Sequence, residues 1–205
     1  MRGLLVDFGG VLTTNVFQSF KQFAEQEGLD RDAVKRAFRD DREALRLLRR
    51  LERGEIEIDE FEPRFAERLG LAPDRVEGLV GRLFAGIGPE ERMLDAVRRA
   101  RENGVKTGLI SNSWGEGGID YDDSMLDELF DAIVISGEVG LHKPEPEIFR
   151  LGAERLGVEP AECVFVDDLR ENCEGAEAVG MTAILHRGPD RTLPELERLL
   201  GVELR

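Results

Sequence analysis

The sequence has few of the residues that mark secreted, membrane-bound or nucleic-acid-binding proteins. It contains two cysteines, Cys163 at the start of a predicted strand and Cys173 on the next predicted helix, so we expect free thiols rather than a disulfide framework. No segment approaches the roughly 20 apolar residues that cross a bilayer. The N-terminus leads directly into a predicted strand, without the layout of a signal peptide. These absences predict a cytoplasmic protein with no membrane partner.

Positive charge is also scarce. The 205 residues include 28 lysines and arginines against 43 aspartates and glutamates, which gives a formal net charge of −15. No basic stretch offsets this excess, and that argues against a nucleic-acid partner. A phosphorylated small molecule is not excluded, because the local charge of a site decides what it binds. With 41% apolar residues, the chain can form one core and a small accessory module.

Short apolar runs alternate with amphipathic helical patterns from about residue 86 onward. This alternation predicts an α/β fold in which helices flank a Rossmann-like parallel sheet. Two of the helices are predicted over Pro89–Asn103 and Pro146–Leu156, each followed by a glycine. The predicted strands are Leu4–Phe8, Lys106–Asn112, Ala132–Ser136, Cys163–Asp168 and Thr182–His186.

Residues 15–85 interrupt this alternation. They contain no convincing strand pattern, and the spacing of their apolar residues predicts four or five packed amphipathic helices. The breaker cluster Gly86-Ile87-Gly88-Pro89 ends the segment. We therefore predict a core formed by residues 1–14 and 86–205, with residues 15–85 inserted as a helical domain.

Polar side chains lie at the ends of several predicted strands. Asp7 closes the first strand and Ser111-Asn112 closes the second. Asp167-Asp168 closes the fourth, and Lys143 lies in an intervening loop. In a parallel α/β sheet these strand ends share the edge where ligands bind. Three carboxylates there would repel one another and favour a bound cation, whereas the hydroxyl and the amine suit an anion beside it, so the pattern predicts a Mg²⁺-dependent phosphoryl-transfer site.

Each of these residues alone also fits a structural role, such as a turn, a helix cap or a solvated lysine. Together, however, they form four ordered motifs that resemble those of the haloacid dehalogenase (HAD) superfamily, in particular the subfamily with a helical cap between the first and second motifs. The order differs from that of receiver domains, in which the acidic pair comes first and the lysine last. The motifs are Val6-Asp7-Phe8-Gly9-Gly10-Val11-Leu12, Gly108-Leu109-Ile110-Ser111-Asn112, Leu141-His142-Lys143-Pro144-Glu145-Pro146-Glu147-Ile148-Phe149 and Val164-Phe165-Val166-Asp167-Asp168.

The resemblance covers essentially the whole chain and implies a catalytic centre around the first and fourth motifs. Asp7 would be the nucleophile that attacks phosphorus and forms an aspartyl-phosphate. Mg²⁺ would be bound by the carboxylates of Asp7 and Asp168 and by the backbone carbonyl oxygen of Gly9. Asp167 would contribute directly or through a bound water.

The second and third motifs would bind the phosphoryl group of a small phosphorylated substrate. Ser111 and the backbone amide of Asn112 would donate hydrogen bonds to it, and Lys143 would offset its charge. The small turn at Gly9 would let backbone amides approach the phosphate. The helical cap would select the substrate, and Trp114, directly after the second motif, would line the pocket or serve packing.

Gly9 departs from the pattern of the superfamily's phosphatases. They usually carry a second aspartate two residues after the nucleophile, which protonates the leaving group and then helps to activate water. General acid–base catalysis of this kind is worth roughly 10²–10⁴-fold in rate. Thr13, Thr14 and Asn15 lie close in sequence but are poor acids, so the candidate substitutes are His142 and residues of the cap.

Three functions are therefore open. The first is a phosphatase that uses a substitute acid or acts on substrates with good leaving groups, and the start of the first motif is similar to the phosphatase-like domain fused to epoxide hydrolases. The second is a binding or regulatory protein with the same fold and metal site but little turnover. The third is a 2-haloacid dehalogenase, whose halide leaves without a proton, although that chemistry has little use for Asp167-Asp168.

Overall fold

The computed structural model describes residues 1–113 and 123–205, so Trp114 lies outside the described residues. Its strands are β1 (Gly3–Val6), β2 (Lys106–Ser111), β3 (Ala132–Ile135), β4 (Cys163–Asp167) and β5 (Thr182–Leu185). They form a sheet in the order β3-β2-β1-β4-β5, in which every neighbouring pair is parallel. The predicted α/β fold with a Rossmann-like parallel sheet is confirmed.

Residues 15–85 contain five α-helices, the upper end of the predicted number, and a short 3₁₀ helix at Pro73–Arg75. They are α1 (Val16–Gln26), α2 (Ala33–Asp40), α3 (Arg42–Glu52), α4 (Ile58–Leu69) and α5 (Leu79–Phe84). Their apolar faces meet in a hydrophobic cluster of their own, in which the rings of Phe38 and Phe65 stack with centroids 4.7 Å apart. We refer to residues 15–85 as the helical insert.

The insert joins the rest of the chain through two segments that lie side by side. Thr13 forms an isolated antiparallel bridge with Pro89. The backbone amide of Thr14 donates to the carbonyl oxygen of Gly88 at 2.8 Å, and the Gly88 amide donates to Thr14 Oγ1 at 3.0 Å. The chain therefore leaves and re-enters the sheet region through one narrow ribbon, which contains the predicted breaker cluster.

Helices cover both faces of the sheet, because successive residues of a strand point to opposite faces. In β1, Leu4 and Val6 join one hydrophobic cluster and Leu5 joins another. The first cluster includes residues from three helices, α6 (Glu91–Glu102), α7 (Asp123–Leu129) and α11 (Pro189–Leu200). The second includes residues from α9 (Pro146–Leu156) and α10 (Arg170–Ala178). The remaining helix, α8 (Ser136–Val139), is one short turn. Within the described part of the chain, no helix has the length and apolar character needed to cross a membrane.

Each strand ends one or two residues earlier than predicted. As a result, Asp7, Asn112 and Asp168 lie in the loops just beyond the last paired residues, at the carboxyl edge of the sheet. In β1 the last pairings join Val6 to Leu109 on one side and to Val166 on the other. Asp7 therefore emerges from the central strand, where the chain order reverses and open α/β sheets bind their ligands.

Candidate active site

The ends of three neighbouring strands meet at the ammonium group of Lys143. Its Nζ donates to Asp7 Oδ1 at 2.6 Å, to the carbonyl oxygen of Ile110 in β2 at 3.0 Å, and to Asp167 Oδ2 at 2.8 Å. These three bonds use all the protons of the ammonium group. The structure thus brings together three of the predicted site residues, Asp7, Lys143 and Asp167.

Lys143 is a buried, charged residue, with 2% of its surface exposed. Burial by itself lowers the pKa of an amine, but the neighbouring carboxylates of Asp167 and Asp7 outweigh it and raise the pKa of Lys143. The group therefore stays cationic at neutral pH and provides a fixed positive charge beside Asp7.

The pKa values of Asp7 and Asp168 are raised as well, which for a carboxyl group disfavours the charged form. Burial raises the pKa of Asp7 to about 7; Lys143 lowers it, while Asp167 and Asp168 raise it further. Burial and then Asp167 raise the pKa of Asp168 to about 6, against the lowering effect of Lys143 and Arg187. Without a further cation, both carboxyl groups are thus partly protonated near neutral pH.

These carboxylates fit a magnesium ion. Asp7, Asp167 and Asp168 each offer an oxygen atom, and the three atoms lie within 4.8 Å of one another. Hard oxygen ligands suit Mg²⁺, and three carboxyl groups share this site with the single ammonium group of Lys143. Gly10 makes the close approach possible, because a Cβ atom there would lie 2.6 Å from Asp168 Oδ2.

Asp167 is fully buried and fully hydrogen-bonded. Its Oδ1 accepts from the backbone amide of Leu169 at 2.8 Å and from Asn172 Nδ2 at 3.1 Å. Its Oδ2 accepts from Lys143 and, at 3.0 Å, from the same Asn172 amide. Since three donor groups make four contacts with this carboxylate, the geometry favours a role in orienting Lys143 and leaves Asp7 and Asp168 better placed to face a cation.

The second motif lies against the same loop. Ser111 is buried and is the last residue of β2. It follows Leu109, which pairs with Val6 of β1, by two positions. The side chain of Asn112 accepts from the backbone amide of Lys143 through Oδ1 at 2.9 Å and donates to the Lys143 carbonyl oxygen through Nδ2 at 3.1 Å. The Asn112 side chain thus holds the backbone of Lys143, in addition to the amide role that the motif predicts.

Nothing in the backbone requires glycine at position 9. Gly9 is not among the glycines with positive φ, and a Cβ atom there would meet Val16 Cγ2 at 3.4 Å, an ordinary contact. The nearby hydroxyl of Thr13 is already engaged, because its Oγ1 accepts from the Gly10 amide at 2.9 Å and donates to the carbonyl oxygen of Thr14 at 3.1 Å. This threonine stabilises the turn and is not a free substitute acid.

His142, the other named substitute, is directed toward the helical insert. Its Nε2 lies 2.7 Å from Oε2 of Glu52, the last residue of α3. No sequence motif indicated Glu52 as a site residue, because it lies 90 positions from His142 and resembles the many exposed glutamates of the insert. The contact places the insert directly against the loop that carries Lys143.

Comparison with known proteins agrees with this geometry. The family described as haloacid dehalogenase-like hydrolase matches the chain over residues 1–180. The bifunctional epoxide hydrolase 2 of Sus scrofa is 35% identical over 123 residues, which are 55% of this chain and 21% of that protein. The chain thus spans about a fifth of the length of that relative. A sesquiterpene phosphatase of Aspergillus oryzae is 28% identical over 151 residues, which are 73% of this chain and 77% of that protein.

The solved structure of a HAD family enzyme from Bacteroides thetaiotaomicron has the same architecture. It superimposes with a TM-score of 0.68 at 25% sequence identity and covers 94% of this chain and 98% of its own. That enzyme was solved in complex with magnesium and inorganic phosphate.

Proposed function

Because the chain belongs to the haloacid dehalogenase-like hydrolase family, we propose that it is a cytoplasmic, Mg²⁺-dependent phosphatase acting on a small phosphorylated metabolite. The observation that carries the proposal is the buried ammonium of Lys143, 2.6 Å from Asp7 and 2.8 Å from Asp167, at the carboxyl end of the central strand. A nucleophilic carboxylate with a permanent cation beside it suits attack on a phosphoryl group.

The reaction would proceed in two displacements at phosphorus. A carboxylate oxygen of Asp7 forms a bond to phosphorus while the bond to the leaving oxygen breaks, and the leaving group takes the electron pair. Water then attacks the aspartyl-phosphate, which releases inorganic phosphate and restores Asp7. Lys143 offsets the charge of the phosphoryl oxygens, and the Ser111 hydroxyl and Asn112 amide orient them.

In the proposed site, the carboxylates of Asp7 and Asp168 and the carbonyl oxygen of Gly9 would hold Mg²⁺, and Asp167 would act through water and through Lys143. When bound, the ion would offset the negative charge of the nucleophile and of the phosphoryl group. The convergence of three carboxyl oxygens within 4.8 Å of one another supports this assignment, because a further positive charge would favour their ionised forms.

The substrate class follows from Gly9. The leaving oxygen needs a proton if it would otherwise depart as an alkoxide, and Thr13 and His142 are both engaged elsewhere. Aryl and acyl phosphates need no such proton, since their leaving groups are stable anions. We therefore assign activated phosphates as the better substrates.

We further propose that the helical insert, residues 15–85, serves as a cap over a core formed by residues 1–14 and 86–205. Its separate hydrophobic cluster supports this division. So does the contact of Glu52 with His142, which places the end of α3 next to the site. A cap in this position would exclude water and select the substrate.

The test is a phosphatase assay of the wild type and Asp7→Asn on p-nitrophenyl phosphate and a series of alkyl phosphates, with Mg²⁺ and with EDTA. We expect Mg²⁺-dependent turnover that Asp7→Asn abolishes and that the control Asp95→Asn, an exposed residue paired with Arg98, leaves unchanged. Full activity of Asp7→Asn would refute the nucleophile. Mg²⁺ binding without turnover on any substrate would instead support a binding or regulatory protein, the alternative that the absence of an acid at Gly9 favours. Halide release from 2-haloacids in the presence of EDTA would support a dehalogenase.

A further inference from the structure

The end of α3 and the two residues that follow it contact the core at several points. Besides the bond from Glu52 to His142, the side chain of Arg53 forms a salt bridge with Glu145, two residues beyond Lys143. Gly54 lies so close to the core that a Cβ atom there would be 2.5 Å from the carbonyl oxygen of Gly137. The side chains of Glu52 and His142 are only 16% and 11% exposed, so their contact is largely shielded from water.

Glu52 determines which nitrogen of His142 carries the proton. A carboxylate only accepts hydrogen bonds, so the 2.7 Å contact requires the proton on Nε2. Nδ2 of Asn112, which has a proton to donate, lies 3.0 Å from Nε2 and 3.3 Å from Nδ1. Because Nε2 carries its proton toward Glu52, Nδ1 of the neutral ring is the only nitrogen that can accept from Asn112. In the other tautomer Nε2 would present its lone pair to the Glu52 carboxylate, and the two groups would repel each other.

Asn112 connects His142 to the backbone of Lys143 through hydrogen bonds. The same side chain holds the Lys143 backbone, since Oδ1 accepts from the amide at 2.9 Å and Nδ2 donates to the carbonyl oxygen at 3.1 Å. The second proton of Nδ2 points to the imidazole of His142. A continuous chain of hydrogen bonds therefore runs from Glu52 on the insert, through His142 and Asn112, to the residue whose ammonium lies against Asp7.

We propose that Glu52 is a positioning residue of the active site: by holding His142 as the Nε2–H tautomer, it orients Asn112 and keeps Lys143 against Asp7 when the insert is seated on the core. The proposal rests on the proposed phosphatase function and adds to it a link between the insert and the charge beside the nucleophile. Movement of the insert away from the core would break the first bond of this chain, so the site would be fully ordered only when the insert is seated.

The direct test is nitrogen NMR of histidine-labelled protein, recorded over a pH series so that the spectra of the neutral rings are identified. The chain has two histidines, so His142 is readily distinguished from His186, which bonds Thr192 through Nδ1. We expect the wild type to show His142 as the Nε2–H tautomer. Glu52→Ala should shift the His142 signals toward the other tautomer, and Glu52→Gln, whose amide oxygen accepts the same bond, should retain them. The His186 signals should not change.

The functional readouts are hydrogen exchange and steady-state kinetics. In Glu52→Ala we expect the Lys143 amide, which donates to Asn112, to exchange about tenfold faster, and kcat to fall about tenfold with little change in KM, because misplacing a catalytic group by a fraction of an ångström costs on that order. Glu52→Gln should restore most of both. The matched control is Glu43→Ala on the same helix, which pairs with Arg46 inside the insert and should behave as the wild type.

An Nδ1–H tautomer of His142 in the wild type would overturn the proposal without any mutant. So would a Glu52→Ala variant with unchanged His142 signals, unchanged exchange at Lys143 or unchanged kcat in an active enzyme. If the wild type has no phosphatase activity, the proposed function fails, whereas the NMR and exchange measurements still decide whether Glu52 orders the Lys143 loop.

Discussion

Replacing Gly9 with aspartate should convert the protein into an efficient alkyl phosphatase. The position accepts a side chain, since its φ is not positive and a Cβ atom would meet only Val16 at an ordinary 3.4 Å. The negative charge of Asp7 and Asp168 nearby would favour the protonated form of the introduced carboxyl group, which is the form that donates to a leaving oxygen. Gly9→Asp thus adds the one group that the proposed mechanism lacks.

The expected gain depends on the leaving group. General acid catalysis is worth roughly 10²–10⁴-fold, and we expect the lower end, about 10²-fold in kcat/KM on an alkyl phosphate, which corresponds to about 2.7 kcal/mol of barrier. p-Nitrophenyl phosphate should change by less than about threefold, because its leaving group departs as a stable anion. The ratio of the two activities is therefore the quantity to measure.

Gly9→Asn is the matched control, because asparagine has nearly the same size but does not act as an acid near neutral pH. It should leave the alkyl-to-aryl ratio unchanged. Equal gains on both substrates, or the same gain in Gly9→Asn, would show that the missing proton donor does not limit the reaction and would refute the reasoning from Gly9.

Three further predictions test other parts of the site. Lys143→Met leaves Asp7 and Asp167 buried without their cation, so we expect a loss of about 3–5 kcal/mol in denaturant-induced unfolding and loss of turnover, with the exposed Lys106→Met as control. Gly10→Ala and Gly28→Ala both place alanine at positive φ, so each should lower the free energy of unfolding by about 1–2 kcal/mol. Only Gly10→Ala should weaken Mg²⁺ binding in calorimetry, because its Cβ atom would strike Asp168. Equal Mg²⁺ affinities of the two variants would contradict the assignment of Asp168. Burial raises the pKa of Asp7 to about 7, so the folded, metal-free protein binds a proton that the unfolded chain releases above its ordinary pKa of 3.8. The stability that this proton contributes is fully present below pH 3.8 and is lost as pH rises through about 7. The increase in melting temperature caused by Mg²⁺ should therefore be larger at about pH 8 than at about pH 5, and a pH-independent increase would count against Asp7 as a ligand.

The sheet was predictable because its signals are local. Each strand is a short apolar run followed by polar residues, and the buried faces of β1 required Leu4, Leu5 and Val6 to be apolar on both sides. The convergence of Asp7 with Asp167 followed from strand topology, since the carboxyl ends of parallel strands share an edge. The exact strand ends were less predictable, because polar residues at a strand end fit both the strand and the following turn.

The division of labour within the site was not predictable from sequence. Asp167 and Asp168 are identical and adjacent, and only the positions of Asn172 and Lys143 show that Asp167 is saturated with hydrogen bonds. The contact between Glu52 and His142 depends on how the helical insert is seated, and no pattern within either segment encodes that distance. The sequence motifs therefore predicted which residues lie in the site, but only the three-dimensional structure shows which groups each of them contacts.

The ribbon at Thr13 and Pro89 has an evolutionary consequence. Because the two segments that connect the insert to the core are bonded to each other, the ends of the inserted sequence meet at one point on the surface. An exchange of residues 15–85 for a different folded segment with neighbouring ends, or for a short turn, would leave the order and register of the five strands unchanged. The inserted segment, which would set substrate preference, can then change in evolution while the catalytic groups at the edge of the sheet stay the same.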